Sequence, residues 1–384
     1  MKTNFMKVST WAMALCASMA VFTACNDDEN GTTPPPAPSV ENLGGIVTEN
    51  MTLTANTEYK LTSQLQVKAP AVLTIEEGVK ITAADSEDPI YILIEQGAKI
   101  NAVGTVENPI VMTAENKTAG GWGGLHICGY APTNAGSGFS EIGNAAYGGN
   151  DANDNSGVLK YIRLEYTGFA LDDEHESNGI SFYGVGAGTQ VSYVQTYVGA
   201  DDGLEFFGGT VNVTNLLAVN PDDDMFDFTQ GYSGKLKNCY GVWESGYTST
   251  EADPRGIEAD GNLDGIYPDH LRQSDFAVEN MTIVNNAANT TDNVDRMQDV
   301  IKIRRGAKTT ITNALVKGSG GTIDLIDMND SKGAGNAASS ISITHTLNFK
   351  NKLNGTLNTF TEPTTNTGAD ASLFTWSGYN FSSL

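Results

Sequence analysis

A triplet of apolar, polar and apolar residues recurs along this chain at steps that very few folds accommodate. The triplets are Ile180-Ser181-Phe182, Leu204-Glu205-Phe206, Phe226-Asp227-Phe228, Ile257-Glu258-Ala259, Ile301-Lys302-Ile303 and Ile323-Asp324-Leu325. They stand 24, 22, 31, 44 and 22 residues apart. A Gly-rich turn follows, and then a second alternating stretch such as "QVSYV", "TVNVT", "KLKNC" or "TTITNALV". Upstream, "LTIEEGVKI" (73–81) and "ILIEQGAKI" (92–100) repeat a related unit at an offset of 19. Short period-2 segments at this interval, with no helical periodicity between them, mark a solenoid built of strands.

One such unit has too little apolar surface to fold alone. Stacked in register, the inward Ile, Leu, Val and Phe columns merge into one core, and each strand pairs with its equivalents above and below. A β-propeller needs roughly 40–50 residues per blade, and a leucine-rich repeat needs its Leu/Asn spacing; neither pattern is present. The expected fold is all-β: a right-handed, single-stranded parallel β-helix with capped ends. Residues 46–68 are expected to cap its start. The terminal "LFTWSGYNFSSL", with Phe374, Trp376, Tyr379 and Phe381, is expected to plug the last coil.

"LTIEEGVKI", "GAKINAVGTVENPIVMTAENKTAGGWGGLHICGYAPTN" and "ADDGLEFFGGTVNV" together resemble a family of β-helical surface lipoproteins with a pectate-lyase-like solenoid. The resemblance spans most of residues 70–330. It implies fold and location and no particular reaction.

The N-terminus agrees with that location. "MKTNFMK" carries positive charge, "VSTWAMALCASMAVF" is a short apolar stretch, and "FTAC" places small residues before Cys25. Residues 1–24 read as a secretory signal, too short for a retained membrane span. Cys25 resembles the acylated first residue of a mature bacterial lipoprotein, with Phe22 a departure from the usual aliphatic residue three before it. The following "NDDEN" resembles the acidic export tag of Bacteroidetes-type lipoproteins. Residues 25–45, which include three consecutive prolines, read as a lipidated, semi-rigid tether, and residues 46–384 as the β-helix domain. The expected place is the outer membrane and the cell surface, with a periplasmic-facing orientation left open. Contact with the membrane is expected through the lipid anchor only.

With 22 basic and 46 acidic side chains the formal charge is -24. Such a surface repels nucleic acid and anionic head groups, so no nucleic-acid partner is expected, and the chain reads as a monomer. Cys128 and Cys239 fall several coils apart, beyond disulfide reach, and read as buried thiols.

Strand alternation sends the middle residue of each triplet outward, giving a column Ser181, Glu205, Asp227, Glu258, Lys302, Asp324. Lys302 is placed to neutralise Glu258 and Asp324, and Arg255 to relieve Asp202 or Asp224. No basic residue aligns with Asp201, Asp202, Glu205, Asp222, Asp223, Asp224 and Asp227. Like charges about 5 Å apart cost on the order of 3 kcal/mol per pair at an effective dielectric near 20, before screening. Either these acids serve turn chemistry, or Asp201, Asp202, Asp223 and Asp224 help to hold a cation. A second cation candidate is "DGNLDG" (260–265), where Asp260, Asn262 and Asp264 precede Gly265 as in a calcium loop. Leu271 stands where an EF-hand has its last Glu, so Asp269 or Glu258 would have to complete that shell. Calcium is the cofactor expected in either case.

Long insertions at 130–157, 243–256 and 260–299 are expected to project from one face and form a binding surface. They carry Trp243, Tyr247, Tyr267, His270 and Arg272 beside the outward Glu205 and Asp227, a set suited to sugar rings and hydroxyls. The four histidines lack zinc-ligand spacing, and no G-x-S-x-G, P-loop or dinucleotide fingerprint occurs. The sequence therefore points to a surface β-helix that binds extracellular glycan with the help of calcium. A polysaccharide lyase on the same scaffold, with Arg255, Lys302, Arg304 or Arg305 near the acids as base, a glycoside hydrolase using two of the carboxylates, and a structural adhesin are the alternatives.

Overall fold

The computed structural model describes residues 39–55, 57–169, 177–287 and 297–384. The signal segment, Cys25 and the proline run lie outside the described residues. Twenty-four of the described strands join in one parallel hydrogen-bonded network wound as a right-handed β-helix. Only Gly138–Phe139 and Ala146–Tyr147 pair antiparallel among the described strands, and they do so outside the barrel. The domain starts earlier than the sequence suggests. Ser39–Val47 is already a strand, paired with Thr57–Val67, although only its Leu43 and Val47 are buried. With so few apolar positions, "SVENLGGIV" is indistinguishable from tether until its partner is known.

Three parallel sheets form the walls. The first stacks Met51–Leu53, Val72–Ile75 and Lys99–Val103, then the leading halves of Gly157–Thr167, Gln190–Gly199, Asn212–Val219, Lys235–Trp243, Asp275–Asn285 and Lys308–Lys317. The trailing halves of those long strands, above Lys80–Ala83 and Ile110–Ala114, form the second. The third stacks Ile92–Ile94, Leu125–Cys128, Ile180–Tyr183, Leu204–Phe207, Phe226–Thr229, Arg255–Asp260, Met297–Arg304, Gly321–Asp327 and Asn348–Asn354.

Each long strand bends from the first sheet to the second at one residue of positive φ. The bend residues are Tyr161, Tyr193, Asn215, Asn238, Asn280 and Asn313, with φ of 53°, 56°, 57°, 57°, 57° and 54°. Asn tolerates this left-handed conformation better than most side chains. Stacking then adds a second reason for it: Asn238 Nδ2 donates to Asn215 Oδ1 at 2.9 Å, and Asn313 Nδ2 to Asn280 Oδ1 at 2.8 Å. Tyr161 and Tyr193 stack instead, ring centroids 4.4 Å apart. At the far end of the third-sheet strands Gly208 takes φ 67°, which explains the glycine after "LEFF".

Two inward columns run up the third sheet. Phe182, Phe206, Phe228, Ala259 and Ile303 make one; Ile180, Leu204, Phe226, Ile257 and Ile301 make the other. Ile180 therefore stands in a different column from Phe206, Phe228 and Ile303, although all four are fully buried. Phe206 stacks on Phe182 at 5.2 Å and on Phe228 at 5.3 Å, and Phe276 closes on Phe228 at 4.0 Å. Cys128 and Cys239 are free and buried, as expected.

The C-terminal segment is not a plug. After Thr359–Thr361 it runs back across the outside of the second sheet. Thr367 N donates to Asn313 Oδ1, Ala369 N to Thr282 Oγ1 and Asp370 N to Asn238 Oδ1, which traces its path down the stack. Phe374 is buried among Leu217, Val219, Tyr240, Val242 and Val284, and Trp376 lies edge-on to Tyr161 and Tyr193. The aromatic cluster is spent on a side wall whose outward residues are apolar.

Phe228→Ala removes a ring packed from both sides and should destabilise the domain by about 3–5 kcal/mol. Equilibrium denaturant melts measure this, and a loss below about 1 kcal/mol contradicts the inward register.

Candidate functional site

The outer side of the third sheet carries two rows of ionisable groups, because parallel register places equivalent residues directly over one another. One row runs His126, Ser181, Glu205, Asp227, Glu258, Lys302, Asp327. Its last member corrects the sequence reading: Lys302 pairs in register with Asp327, and Asp324 pairs with Asp299. Met297–Arg304 and Gly321–Asp327 pair at a constant offset of 25 residues, where the sequence repeat gives 22. The second row lies at the start of these strands and runs Arg255, Asp299, Asp324, Asn351. Asp202 and Asp224 extend it toward the N-terminus, where Asp202 Oδ1 accepts from the Asp224 amide at 2.8 Å.

These rows point away from the barrel and are nevertheless covered. Asp202, Asp224, Glu258, Asp299, Asp324 and Asp327 are all buried. Part of the cover is the first insertion. Residues 130–156 fold back over the sheet, where Ile142, Ala145 and Tyr147 pack with Tyr91, Leu93, Cys128, Tyr183 and Phe207 in an outer hydrophobic cluster. Tyr147 Oη donates to Gln230 Oε1 at 2.9 Å, and Asn134 Nδ2 donates to the carbonyls of Gly261 and Arg272 at 2.7 and 2.9 Å. His126 sits beneath this cover with Nε2 2.7 Å from the Gly123 carbonyl, and burial pulls its pKa down to about 4.

Charge along the rows is unevenly compensated. Toward the C-terminus the acids are matched: Arg304 Nε lies 2.5 Å from Asp260 and its Nη2 contacts Glu258, Lys302 Nζ lies 2.5 Å from Asp327, and Arg255 contacts Glu258 and Asp253. Asn351 donates to Asp324 at 2.6 Å. Lys302 therefore neutralises Asp327 and, at 4.0 Å, Asp299, where the sequence pairs it with Glu258 and Asp324. Arg255 reaches back only to Asp224, at 4.0 Å. Asp222 is satisfied by neutral partners, with Thr250 N at 2.8 Å and Tyr247 Oη at 3.2 Å.

Toward the N-terminus the acids converge on one another. One carboxylate oxygen from each of Asp202, Glu205 and Asp227 lies within 4.8 Å of the others, and the same holds for Asp201, Asp202, Asp223 and for Asp224, Asp227, Glu258. Asp224 Oδ1 and Asp223 Oδ1 are shielded from solvent with no hydrogen-bond partner, and so is Asp299 Oδ1 in a further group with Asp324 and Asp327. Burial, and then the neighbouring carboxylates, raise Asp202, Glu205, Asp224 and Asp227 well above the usual carboxylate range. Asp223 is pushed up to about 8 by burial and Glu258, and Asp299 to about 7 by burial despite Lys302 and Arg255. An all-oxygen donor set of this kind fits a hard cation such as calcium.

The other sequence candidates divide. Asp260, Asn262 and Asp264 are not gathered into a cation shell. Asp260 is held by Arg304 and Arg305, Asp264 by Lys332 at 2.5 Å, and Asn262 donates to Gln273 and the Arg305 carbonyl while accepting from Tyr267 N. The loop pattern is used to fasten the chain to neighbouring coils. Trp243 is fully buried with Nε1 donating to the Pro221 carbonyl at 2.9 Å, so it is a core residue and no sugar platform. Tyr247 is half-buried and donates to the same carbonyl at 2.8 Å. Tyr267, His270 and Arg272 are exposed. His270 and Arg272 line a cleft of about 510 Å³ with Thr133, Ser137 and Asn150 of the facing insertion.

The raised carboxylates set a pH dependence. A group with a folded pKa above its unfolded value stabilises the fold below the unfolded pKa, and loses that contribution as pH rises through the folded one. In chelator, Tm should therefore fall as pH rises from about 4, the ordinary carboxylate value, through about 7 and 8, where Asp299 and Asp223 ionise. Calcium held by the same oxygens should flatten that fall and stabilise by about 2.7 kcal/mol at a hundredfold excess over Kd. Asp223→Asn/Asp224→Asn should remove the calcium response. Superimposable melts in chelator and millimolar calcium at pH 8 count against a cation here.

A family model described as a pectate-lyase like beta helix domain matches residues 45–378. No curated protein and no solved structure matches the chain. The matched span contains all three walls, both acidic rows and most of the C-terminal segment, and the chain belongs to the pectate-lyase-like β-helix family.

Proposed function

We propose that this protein is an outer-membrane lipoprotein, anchored through Cys25 and displayed on the cell surface, that binds extracellular polysaccharide through the third-sheet face with calcium as a bridging ion. The observation that carries the reading is the unevenly compensated acid row, with buried, convergent, unpartnered carboxylate oxygens at Asp223 and Asp224; a polar cleft between loops, lined by His270 and Arg272, adds to it. In calcium-assisted binding, Asp202, Glu205, Asp224 and Asp227 would hold the ion, and the ion would supply positive potential to a chain otherwise at -24. The protein acts as a monomer, and its membrane contact is the lipid alone.

Binding is favoured over eliminative chemistry by the state of the arginines. Burial opposes the charge of Arg255 and Arg304, but Glu258 first, then Asp224 for one and Asp260 for the other, hold them above the ordinary guanidinium value. A guanidinium so held does not give up its proton to act as a base.

Retention on acidic and neutral polysaccharides, with calcium or with chelator, tests this. Calcium-dependent retardation without new unsaturated or reducing ends is the expected result; new ends mean an enzyme, and no retardation on any polymer overturns the reading. For the location, antibody should stain intact cells, and Cys25→Ala should be released unlipidated or stay unprocessed. Staining that requires permeabilised cells contradicts surface display.

A further inference from the structure

A second cavity, on a different wall, is built from residues that neither the calcium nor the cleft reading uses. Outward positions of the second sheet form two rows across the strands. One reads Arg163, Gln195, Leu217, Tyr240; the other reads Glu165, Tyr197, Val219, Val242. The apolar members are sealed by Phe374 and Ala369 of the C-terminal strap. The polar members lie at the other end of the rows, where residues 377–380 pass over Arg163, Glu165, Gln195 and Tyr197 before Phe381 returns to Tyr240. What remains between wall and strap is a cavity of about 310 Å³, also lined by Tyr166 and Tyr379. That volume is in the range of small-ligand sites.

The lining is organised around Gln195. It is 2 % exposed, and its Oε1 is shielded from solvent with no hydrogen-bond partner among the described residues. A buried amide normally finds partners, and leaving one unpaired costs about 1–3 kcal/mol. Beside it Arg163 gives Nη2 to Glu165 Oε1 at 2.5 Å, while Arg163 Nε is also buried without a partner. The strap is held in place independently of any ligand: Tyr379 Oη donates to Glu244 Oε1 at 2.9 Å, and Ser377 Oγ to the Phe374 carbonyl at 2.7 Å. The site thus offers an unpaired amide, an unpaired guanidinium N–H, a carboxylate and tyrosine rings within one preformed enclosure.

We infer that this strap pocket binds one neutral, hydroxyl-rich sugar unit of a glycan chain. Neighbouring hydroxyls of a sugar both donate and accept, which suits an amide oxygen beside a guanidinium and a carboxylate. Tyrosine rings supply flat apolar surface for the C–H face of such a ring. The pocket's own charges, Arg163 and Glu165, cancel, and a chain of net charge -24 repels free anions. An acidic sugar is therefore the poorer occupant. The inference rests on the glycan-binding reading and not on its calcium.

The test uses the full mature protein in chelator, which silences any calcium-bridged contact on the third sheet. Neutral oligosaccharides from starch, β-glucan, mannan and xylan, with oligogalacturonate as the acidic probe, are titrated by calorimetry. Gln195→Leu is the decisive variant. Its register partner Leu217 already presents leucine on this row, so packing is kept and only the amide is lost. Arg163→Met is the second variant, and Lys237→Ala, exposed on the first sheet, is the control. At least one neutral oligosaccharide should bind, Gln195→Leu and Arg163→Met should each weaken it tenfold or more, and Lys237→Ala should leave it within twofold. Neutral-sugar binding that survives Gln195→Leu, or that is lost with His270→Ala instead, overturns the pocket assignment and leaves glycan binding standing. Binding of oligogalacturonate alone overturns the neutral specificity. Polymer retention without any oligosaccharide binding in chelator removes the pocket but not the calcium-assisted face, and failure of both removes the two readings together.

Discussion

Parallel pairing in strict register is the constraint from which the rest follows, because it stacks each side chain on its own equivalent in the next coil. For apolar residues the consequence is favourable without further conditions: Phe182, Phe206 and Phe228 pile face to face, and every added coil extends the same column. For asparagine it is favourable if the amides align, as Asn238 does on Asn215. For carboxylates it is adverse, since stacking at strand spacing sets like charge on like charge. Asp202, Glu205 and Asp227 sit where that cost is highest, with no basic residue beside them in register, and Asp224 meets only Arg255 at 4.0 Å, whereas over the next two coils Arg255, Lys302 and Arg304 relieve the acids they touch. Register thus separates a compensated acid row from an uncompensated one on a single sheet.

Much of this was legible in the sequence because period carries both fold and facing. The triplets at 204–206 and 226–228 identify their inward and outward residues from spacing alone, and the lack of any basic residue beside 201–227 is visible without coordinates. The limits of repetition are as physical as its successes. Between Lys302 and the next coil the connection is longer, the strand enters three residues later, and Asp327 takes the place that the repeat gives to Asp324. Burial of the acid rows was not legible at all, since it depends on insertions such as 130–156 folding back through Tyr147 and Asn134, contacts that span about a hundred residues of chain.

The C-terminal aromatic cluster shows where a sequence signal was present and read to the wrong end. Phe374 and Trp376 had to be buried somewhere, and an end cap and a side wall satisfy that equally. The discriminating signal lies in the wall. "NLLAV" (215–219) and the stretch 239–243, "CYGVW", do not alternate as a strand with one face in water should; both their faces are apolar. Leu217, Val219, Tyr240 and Val242 point outward and need a cover, and in this chain the strap is that cover.

The same wall explains why a pocket forms where it does. "YIRLEYT" and "VQTYV" keep the alternation that "NLLAV" loses, with Arg163, Glu165, Gln195 and Tyr197 outward. The strap crosses these groups between the apolar contacts of Phe374 and Phe381, and the gap beneath it is lined by polar groups whose water has been partly excluded. The two polar features of the molecule are therefore of different physical kinds. On the third sheet, register forces like charges together and the deficit is one of positive charge. Under the strap, charge is balanced and the deficit is one of hydrogen bonds, at Gln195 Oε1 and Arg163 Nε. A cation answers the first and cannot answer the second, whereas a hydroxylated neutral ligand answers the second and leaves the first untouched.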